Sequence, residues 1–130
     1  MKIEWSDKYI TGKHQIDVGQ KLLFTLFNDI VDKLEKNYQS EEVEAYVRLL
    51  EEHATIHFRQ EKRLLKKLPE NIYQEHLNEH KEFKKVIKTL SRKIYKDKEV
   101  SSIYELVLFI GEWILNHVQY TDKYHIKNTT

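Results

Sequence analysis

The chain has 130 residues, which is enough for one domain with its own hydrophobic core. Its 22 lysines and arginines nearly balance 21 aspartates and glutamates, which argues against a nucleic-acid or membrane-surface partner. The absence of cysteine excludes disulfides, thiolate ligands and iron–sulfur clusters, so any metal must be held by histidine, carboxylate or amide groups. With no signal peptide and no apolar run long enough to span a membrane, we expect a soluble cytoplasmic protein.

The composition and the periodicity predict a protein made of helices, because only three glycines and one proline interrupt the chain. Residues 1–16 are expected to form an ordered arm, since Trp5, Tyr9 and Ile10 are too many large apolar residues for a free tail. A first helix is predicted over about 17–36, where apolar residues recur at steps of four and three. Its buried stripe consists of Ile16, Gln20, Leu23, Phe27, Ile30 and Leu34, in which Gln20 is the polar exception.

Two further helices are predicted over about 41–68 and 69–95. Ser40 is a candidate N-cap after a turn at 37–40, and Pro69 suits the first turn of the next helix. The inward row of the second helix consists of Val43, Val47, Leu50, Ala54, His57, Glu61, Leu64 and Leu68. The inward row of the third helix consists of Tyr73, His76, His80, Phe83, Ile87, Leu90 and Ile94.

A charged turn at Lys96 to Lys98 leads to a fourth helix over about 99–120. Its inward row consists of Ile103, Leu106, Ile110, Trp113, His117 and Tyr120. The residues from Lys123 onward are expected to fray. Four amphipathic helices joined by short turns predict an all-α, up-down-up-down four-helix bundle with an ordered N-terminal arm.

Histidines and carboxylates interrupt these apolar rows at one end of the predicted bundle. Each of two helices carries a pair of such residues four positions apart, which places both members of a pair on one face. Because neighbouring helices run in opposite directions, the two pairs meet near the turn that joins the second helix to the third. The start of the first helix and the end of the fourth lie at the same end of the bundle. Buried ionisable groups are costly unless they are paired or bound to metal. The candidate metal ligands are therefore His57, Glu61, His76, His80, His117 and Asp122.

The types of ligand limit the metal. Imidazoles and carboxylates without thiolates suit iron, manganese or zinc. Four imidazoles and two carboxylates exceed what one tetrahedral zinc uses, so a dinuclear centre is the better interpretation. The ferritin-like bundles need Glu-x-x-His pairs, and this chain has none, although Asp122-x-x-His125 comes near.

The spacing between His117 and Asp122 predicts an irregular helix. Five residues advance about 500° around a regular α-helix, so the two side chains would point about 140° apart. For both to reach one centre, the end of the fourth helix must unwind or carry a π-type distortion, which is common at functional sites.

Three motifs together resemble the hemerythrin family, in its single-domain bacterial form. They are His57-Phe58-x-x-Glu61, His76-x-x-x-His80 and Trp113-x-x-x-His117-x-x-x-x-Asp122, and the likeness extends to Trp5, Tyr9, Gly12, Ile16-Asp17 and Asn28. The resemblance implies two iron ions in an oxo- or hydroxo-bridged di-iron centre that binds dioxygen reversibly. It also implies roles for the ligands: His76, His80 and His117 on one iron, His57 on the other, and Glu61 and Asp122 bridging the two.

The chain departs from the family pattern at Gln20, where the family has a histidine. Three interpretations remain open. The amide oxygen of Gln20 ligates the second iron, or the amide hydrogen-bonds to a bound water and leaves that iron an open position, or a nearby histidine replaces it. The best candidate for replacement is His53, whereas His14 lies in the arm and is expected to be exposed.

Three functions follow as hypotheses. The first is a binding protein for dioxygen, which stores, delivers or senses it, as a monomer or weak homo-oligomer. The second is a di-iron enzyme that reacts with peroxide or nitric oxide, favoured by Gln20 because a weaker donor set makes the second iron more Lewis-acidic. The third is a metal store or zinc-binding bundle. The lysines are spread over several helix faces, so we expect no contiguous basic surface.

Overall fold

Four long helices form the body of the protein. The computed structural model describes residues 1–36, 40–97 and 100–129. The long helices are α1 (His14–Lys36), α2 (Ser40–Leu65), α3 (Glu70–Asp97) and α4 (Val100–Asn116). Helix α1 packs against α2 and α4, and α3 packs against the same two helices. This arrangement is the predicted up-down-up-down bundle, and none of the described helices is long and apolar enough to cross a lipid bilayer.

The apolar rows predicted from the sequence form the core between the helices. Every predicted stripe residue of α1 is buried, including Gln20. The prediction for the last turn of α2 is wrong in register, because the helix ends at Leu65, which is buried while Leu64 and Leu68 are only half-buried. Pro69 directly precedes α3, and its carbonyl accepts a hydrogen bond from the backbone N–H of Tyr73 at 3.0 Å. The proline therefore stands at the start of the helix, as expected.

Two predicted turns fall largely outside the described part of the chain. The turn at 37–40 and the N-cap role of the Ser40 side chain lie outside the described residues, and so does Lys98. Helix α3 continues through Lys96 and Asp97, so it ends two residues later than predicted. Helix α1 begins at His14, three residues before its predicted start.

The C-terminal residues do not fray as predicted. A π-helical segment (His117–Asp122) follows α4 directly, and a short helix α5 (Lys123–Lys127) follows it. Ile126 of α5 is fully buried against Ile16 and Leu65 in a small apolar cluster. Burial of this one isoleucine holds α5, an otherwise polar segment, against the bundle. The apolar cluster thereby closes the bundle at the end where the candidate ligands lie.

The N-terminal arm lies across α1 and is fixed by two side chains of that helix. Asn28 accepts a hydrogen bond from the backbone N–H of Ile3 and donates one to the Ile3 carbonyl, at 2.9 and 2.7 Å. The carboxylate of Asp17 accepts hydrogen bonds from the Thr11 N–H and hydroxyl, at 2.8 and 2.7 Å. Gly12 lies between them with φ of 89°, a conformation that other residues rarely adopt. The arm is thus ordered, as predicted.

The aromatic residues of the arm pack as expected, with one exception. Trp5 contacts Tyr9 and Phe24 edge-on, with ring centres 5.5 and 5.4 Å apart. Ile10, which the sequence also assigned to this packing, is 39% exposed. It follows a short 3-10 turn (Asp7–Tyr9), and this turn points Tyr9 inward and leaves the next residue in solvent.

Candidate metal centre

Helices α2 and α3 and the π-helical segment bring five predicted ligands together at the closed end of the bundle. The residues are Glu61, His76, His80, His117 and Asp122. All five are buried, and one ligand atom from each lies within 4.8 Å of the others. The sequence placed these groups at one end of the bundle from helix direction alone, and the structure does the same.

Three imidazoles form one side of the cluster. The Nε2 atom of His117 lies 3.1 Å from Nε2 of His76 and 3.2 Å from Nε2 of His80. His76 and His80 come from successive turns of α3, and His117 approaches from the segment after α4. Three nitrogen lone pairs therefore face one small volume, which is an arrangement typical of metal sites.

Two carboxylates connect this three-histidine side to a second side. Glu61 places Oε2 at 2.8 Å from Nε2 of His80 and Oε1 at 3.0 Å from Nε2 of His57. Asp122 places Oδ1 at 2.9 Å from Nε2 of His117, and its Oδ2 accepts a hydrogen bond from the amide of Gln20 at 2.7 Å. Each carboxylate thus directs one oxygen to each side of the cluster.

The irregular helix predicted between His117 and Asp122 is present. The segment His117–Asp122 is π-helical, and the N–H that ends it, of Lys123, bonds to the carbonyl of Val118. In such a helix each turn holds an additional residue, so a side chain five positions ahead returns to nearly the same face. Both ligands therefore point inward. The same change of register turns Tyr120 outward, where it is 62% exposed, so its predicted place in the inward row is wrong.

Residues outside the cluster hold two of the three histidines by their other ring nitrogen. Nδ1 of His117 donates to Oε1 of Glu79 at 3.0 Å, and the hydroxyl of Thr121 donates to the same oxygen at 3.0 Å. Nδ1 of His76 lies 2.8 Å from Nδ1 of His125 in α5. The sequence analysis assigned no role to Glu79 or His125. The sequence offered one indication of these roles, which is that both residues are close to candidate ligands: Glu79 lies next to His80, and His125 lies three residues after Asp122.

Aromatic rings cover two of the histidines. Phe58 stacks on His80 with ring centres 4.0 Å apart and an angle of 7° between the ring planes. Trp113 stacks on His117 at 4.2 Å and 15°. Because both rings lie flat on an imidazole, they restrict its rotation and keep water away from it.

The second side of the site consists of His57 and Gln20, which are not among the five clustered residues, and it is built differently. Nδ1 of His57 has no hydrogen-bond partner in the described structure, and a Cβ atom at Gly19 would overlap it. Glycine at this position lets α1 approach the imidazole closely, a role that the sequence analysis missed because it depends on contact between two helices. His53 donates from Nε2 to the Gly19 carbonyl at 3.0 Å, and the structure does not bring it into the cluster. His14 is exposed.

Burial and mutual attraction oppose each other in the electrostatics of the cluster. Burial disfavours the charge on Glu61, but the positive charge of His57 and hydrogen bonds from the histidines hold the pKa of Glu61 well below its ordinary value. Burial likewise disfavours protonation of His117, yet the carboxylate of Asp122 raises its pKa well above the ordinary value. Burial lowers the pKa of His80. A cation that takes the place of the protons releases them, so binding of metal depends on pH.

The donor set fits a metal centre. Two buried polar atoms of the site, Oε1 of Gln20 and Nδ1 of His57, have no hydrogen-bond partner within the described chain. Both oxygens of Glu61 and Oδ1 of Asp122 lie 2.8–3.0 Å from imidazole nitrogens, which are themselves crowded together. Buried polar groups without partners are rare in proteins, and lone-pair donors that converge in this way are typical of a cation site. A metal cation satisfies such atoms, whereas further protein hydrogen bonds do not reach them.

Comparison with known proteins identifies the family. Residues 11–125 match the model of the hemerythrin HHE cation-binding domain. The comparisons with curated proteins and with solved structures give no significant match. The matched region contains the whole cluster and excludes only the start of the arm and the last residues. The resemblance found in the sequence is confirmed, and the chain belongs to the hemerythrin family of metal-binding four-helix bundles.

Proposed function

We propose that this protein is a non-haem di-iron protein that binds dioxygen, for storage, delivery or sensing. The observation that carries the proposal is the placement of the two carboxylates. Glu61 and Asp122 each direct one oxygen to the three-histidine side and the other to the side of His57 and Gln20. Carboxylates that serve two sides in this way are suited to bridging two metal ions.

The ligands divide between the two irons. His76, His80 and His117 would hold the first, His57 would hold the second, and the carboxylates would bridge them. The amide nitrogen of Gln20 donates to Asp122, which leaves Oε1 as the atom of this side chain that would be available to the second iron. When bound, such a pair of irons supplies two one-electron redox equivalents to a small ligand. An amide oxygen is a weaker donor than an imidazole, so the second iron is the one with room for that ligand.

The surrounding residues keep the centre dry. None of the seven donors is more than 4% exposed, and Phe58 and Trp113 cover two of the histidines. Exclusion of water strengthens the electrostatic interactions in the site and limits side reactions of a bound oxygen species. Ile126 closes the end of the bundle below the centre.

Metal analysis combined with absorption spectroscopy tests the proposal. The purified protein is expected to contain two irons per chain and to show ferric charge-transfer bands in the near ultraviolet. After reduction, mixing with dioxygen should produce a new visible band that disappears when the oxygen is removed. A colourless protein with two zinc ions, or with iron that does not respond to oxygen, would contradict the proposal and favour a metal store.

The position of Gln20 favours a second candidate function, a di-iron enzyme that reacts with peroxide or nitric oxide. Gln20 offers an amide oxygen in place of an imidazole nitrogen, so the second iron would have only one nitrogen ligand, His57. Stopped-flow mixing of the reduced protein with oxygen, peroxide and nitric oxide separates the two candidates. A long-lived oxygen complex supports the binding protein, whereas rapid turnover of peroxide or nitric oxide supports the enzyme.

A further inference from the structure

A groove between α2 and α3 carries a concentration of positive charge. The groove has a volume of about 260 Å³ and is lined by Phe58, Arg59, Lys62, Leu77, His80, Lys81 and Lys84. Four of these seven residues are cationic, and no acidic residue is among them. The expectation of no contiguous basic surface is therefore wrong here. It failed because the two cations of α2 and the two of α3 are far apart in sequence and come together only when the helices pack.

The four cations have no anionic partner within the described chain. Arg59, Lys62, Lys81 and Lys84 are all exposed, and none forms an ion pair with a described carboxylate. Two described lysines elsewhere do form ion pairs: Lys2 lies 2.6 Å from a carboxylate oxygen of Asp32, and Lys33 lies 3.5 Å from one of Glu42. Because the whole chain is almost neutral, this groove is a local excess of charge, which attracts negatively charged molecules over several ångströms.

The groove also reaches the candidate metal centre. His80 lines it and is 4% exposed, more than any other donor of the centre. Phe58 also lines the groove and is stacked on this imidazole, with 4.0 Å between ring centres. The ammonium group of Lys84 lies 5.8 Å from the centre of the Phe58 ring. A molecule held by the cations therefore lies next to Phe58 and His80, and His80 is one of the candidate ligands.

We propose that this groove docks the acidic surface of a small one-electron redox protein, which reduces the centre through Phe58 and His80. The inference rests on the proposed di-iron function, because the centre would bind dioxygen only with both irons ferrous, so a centre left in the ferric form needs a reductant before it can bind again. In each encounter the donor loses one electron and one ferric ion becomes ferrous, and no bond forms or breaks. The groove is open and its cations are on long exposed side chains, which suits a broad acidic surface better than one small anion.

Charge reversal tests the proposal, with a small ferredoxin of net negative charge as the probe. The variant Lys62→Glu/Lys81→Glu changes the groove, and Lys85→Glu/Lys93→Glu makes the same change in net charge at exposed positions of α3 that do not line it. Binding of ferredoxin to the purified proteins, whatever metal they carry, is measured by calorimetry at low and physiological ionic strength. We expect the groove variant to bind at least about tenfold more weakly at low ionic strength, and the control variant to bind almost normally.

Reduction kinetics provide the second measurement. The rate of reduction by ferredoxin should fall in the groove variant, whereas the rate with reduced lumiflavin, a small uncharged donor, should not change. The neutral variant Lys62→Gln/Lys81→Gln should show a smaller loss, and the thermal melting of each variant shows whether it folds.

Three results would overturn the proposal. They are the absence of ferredoxin binding, an equal loss of binding in the groove and control variants, and a groove variant that loses affinity for inorganic phosphate but still binds ferredoxin. The binding measurement does not require iron chemistry. Failure of the di-iron proposal would appear in the absorption spectrum and not in the binding of ferredoxin.

Discussion

The two halves of the candidate metal centre differ in their ligands and in how those ligands are held. The three-histidine half takes its imidazoles from α3 and the π-helical segment, and Glu79, His125 and two stacked aromatic rings hold them in place. The other half has one imidazole, His57, whose Nδ1 atom has no partner in the described structure, and the amide of Gln20. A rigid half suits retention of metal, and a sparsely ligated half suits binding of a small molecule.

The largest expected effect is loss of the three-histidine half. Nε2 of His117 lies near both carboxylates, at 2.9 Å from Asp122 and 3.7 Å from Glu61. His117→Ala should therefore reduce the iron content from two per chain to almost none, as measured by elemental analysis. His14→Ala, at an exposed histidine, is the control and should retain both irons. A His117→Ala protein with normal iron content would show that the three histidines are not the main anchor.

Damage to the other half should remove one iron only. A Cβ atom added by Gly19→Ala would overlap Nδ1 of His57, so the imidazole would have to leave its position. We expect an iron content near one per chain and loss of the response to oxygen. The matched control is Gly111→Ala, whose Cβ would lie 2.7 Å from the Phe27 ring in the bundle core. It should destabilise the fold but leave both irons in place, and an equal loss of iron in the two variants would contradict the assignment.

Substitution of a residue that supports a metal ligand should lower the affinity for iron more than it lowers the number of irons bound. Glu79 accepts a hydrogen bond from Nδ1 of His117, and such outer contacts typically contribute about 10- to 100-fold to metal affinity. Glu79→Gln should weaken iron retention by an amount in that range, as measured by competition with a chelator, while the loaded protein still holds two irons. Glu82→Gln changes the charge equally at an exposed position of α3 and should have no effect.

The smallest expected effect is a gain in the lifetime of the oxygen complex when Gln20 is replaced. Replacement of the amide by an imidazole in Gln20→His adds a nitrogen ligand to the second iron, which should prolong the life of the oxygen complex and slow its reaction with peroxide. Both are measured by stopped-flow absorption. Gln20→Asn keeps the amide on a shorter side chain and should not give this gain. If Gln20→His behaves like the original protein, the amide does not determine the chemistry of the second iron.

The sequence was sufficient for the features that depend on helical periodicity. The inward rows of α1 and α3 could be predicted because they repeat regularly over five or more turns, and they positioned Gln20, His76 and His80 correctly. The irregular helix could also be predicted, because His117 and Asp122 are compatible with one centre only if the spacing of the helix changes.

Features that depend on contacts between distant segments could not be predicted in the same way. The role of Gly19 arises only when α1 lies against His57. Helix α5 was predicted to fray because Ile126 is one apolar residue in a polar segment, and its partners Ile16 and Leu65 come from other helices. The outward position of Tyr120 follows from the predicted distortion itself, which shifts every later residue around the helix axis.

Mössbauer spectroscopy of the iron-loaded protein tests the central claim most directly, because it reports the environment of each iron separately. We expect two irons per chain in equal amounts with clearly different quadrupole splittings, one for the three-histidine half and one for the half with His57 and Gln20. In Gln20→His the second signal should move towards the first. A single iron environment, or one iron per chain, would contradict an unequal pair bridged by Glu61 and Asp122.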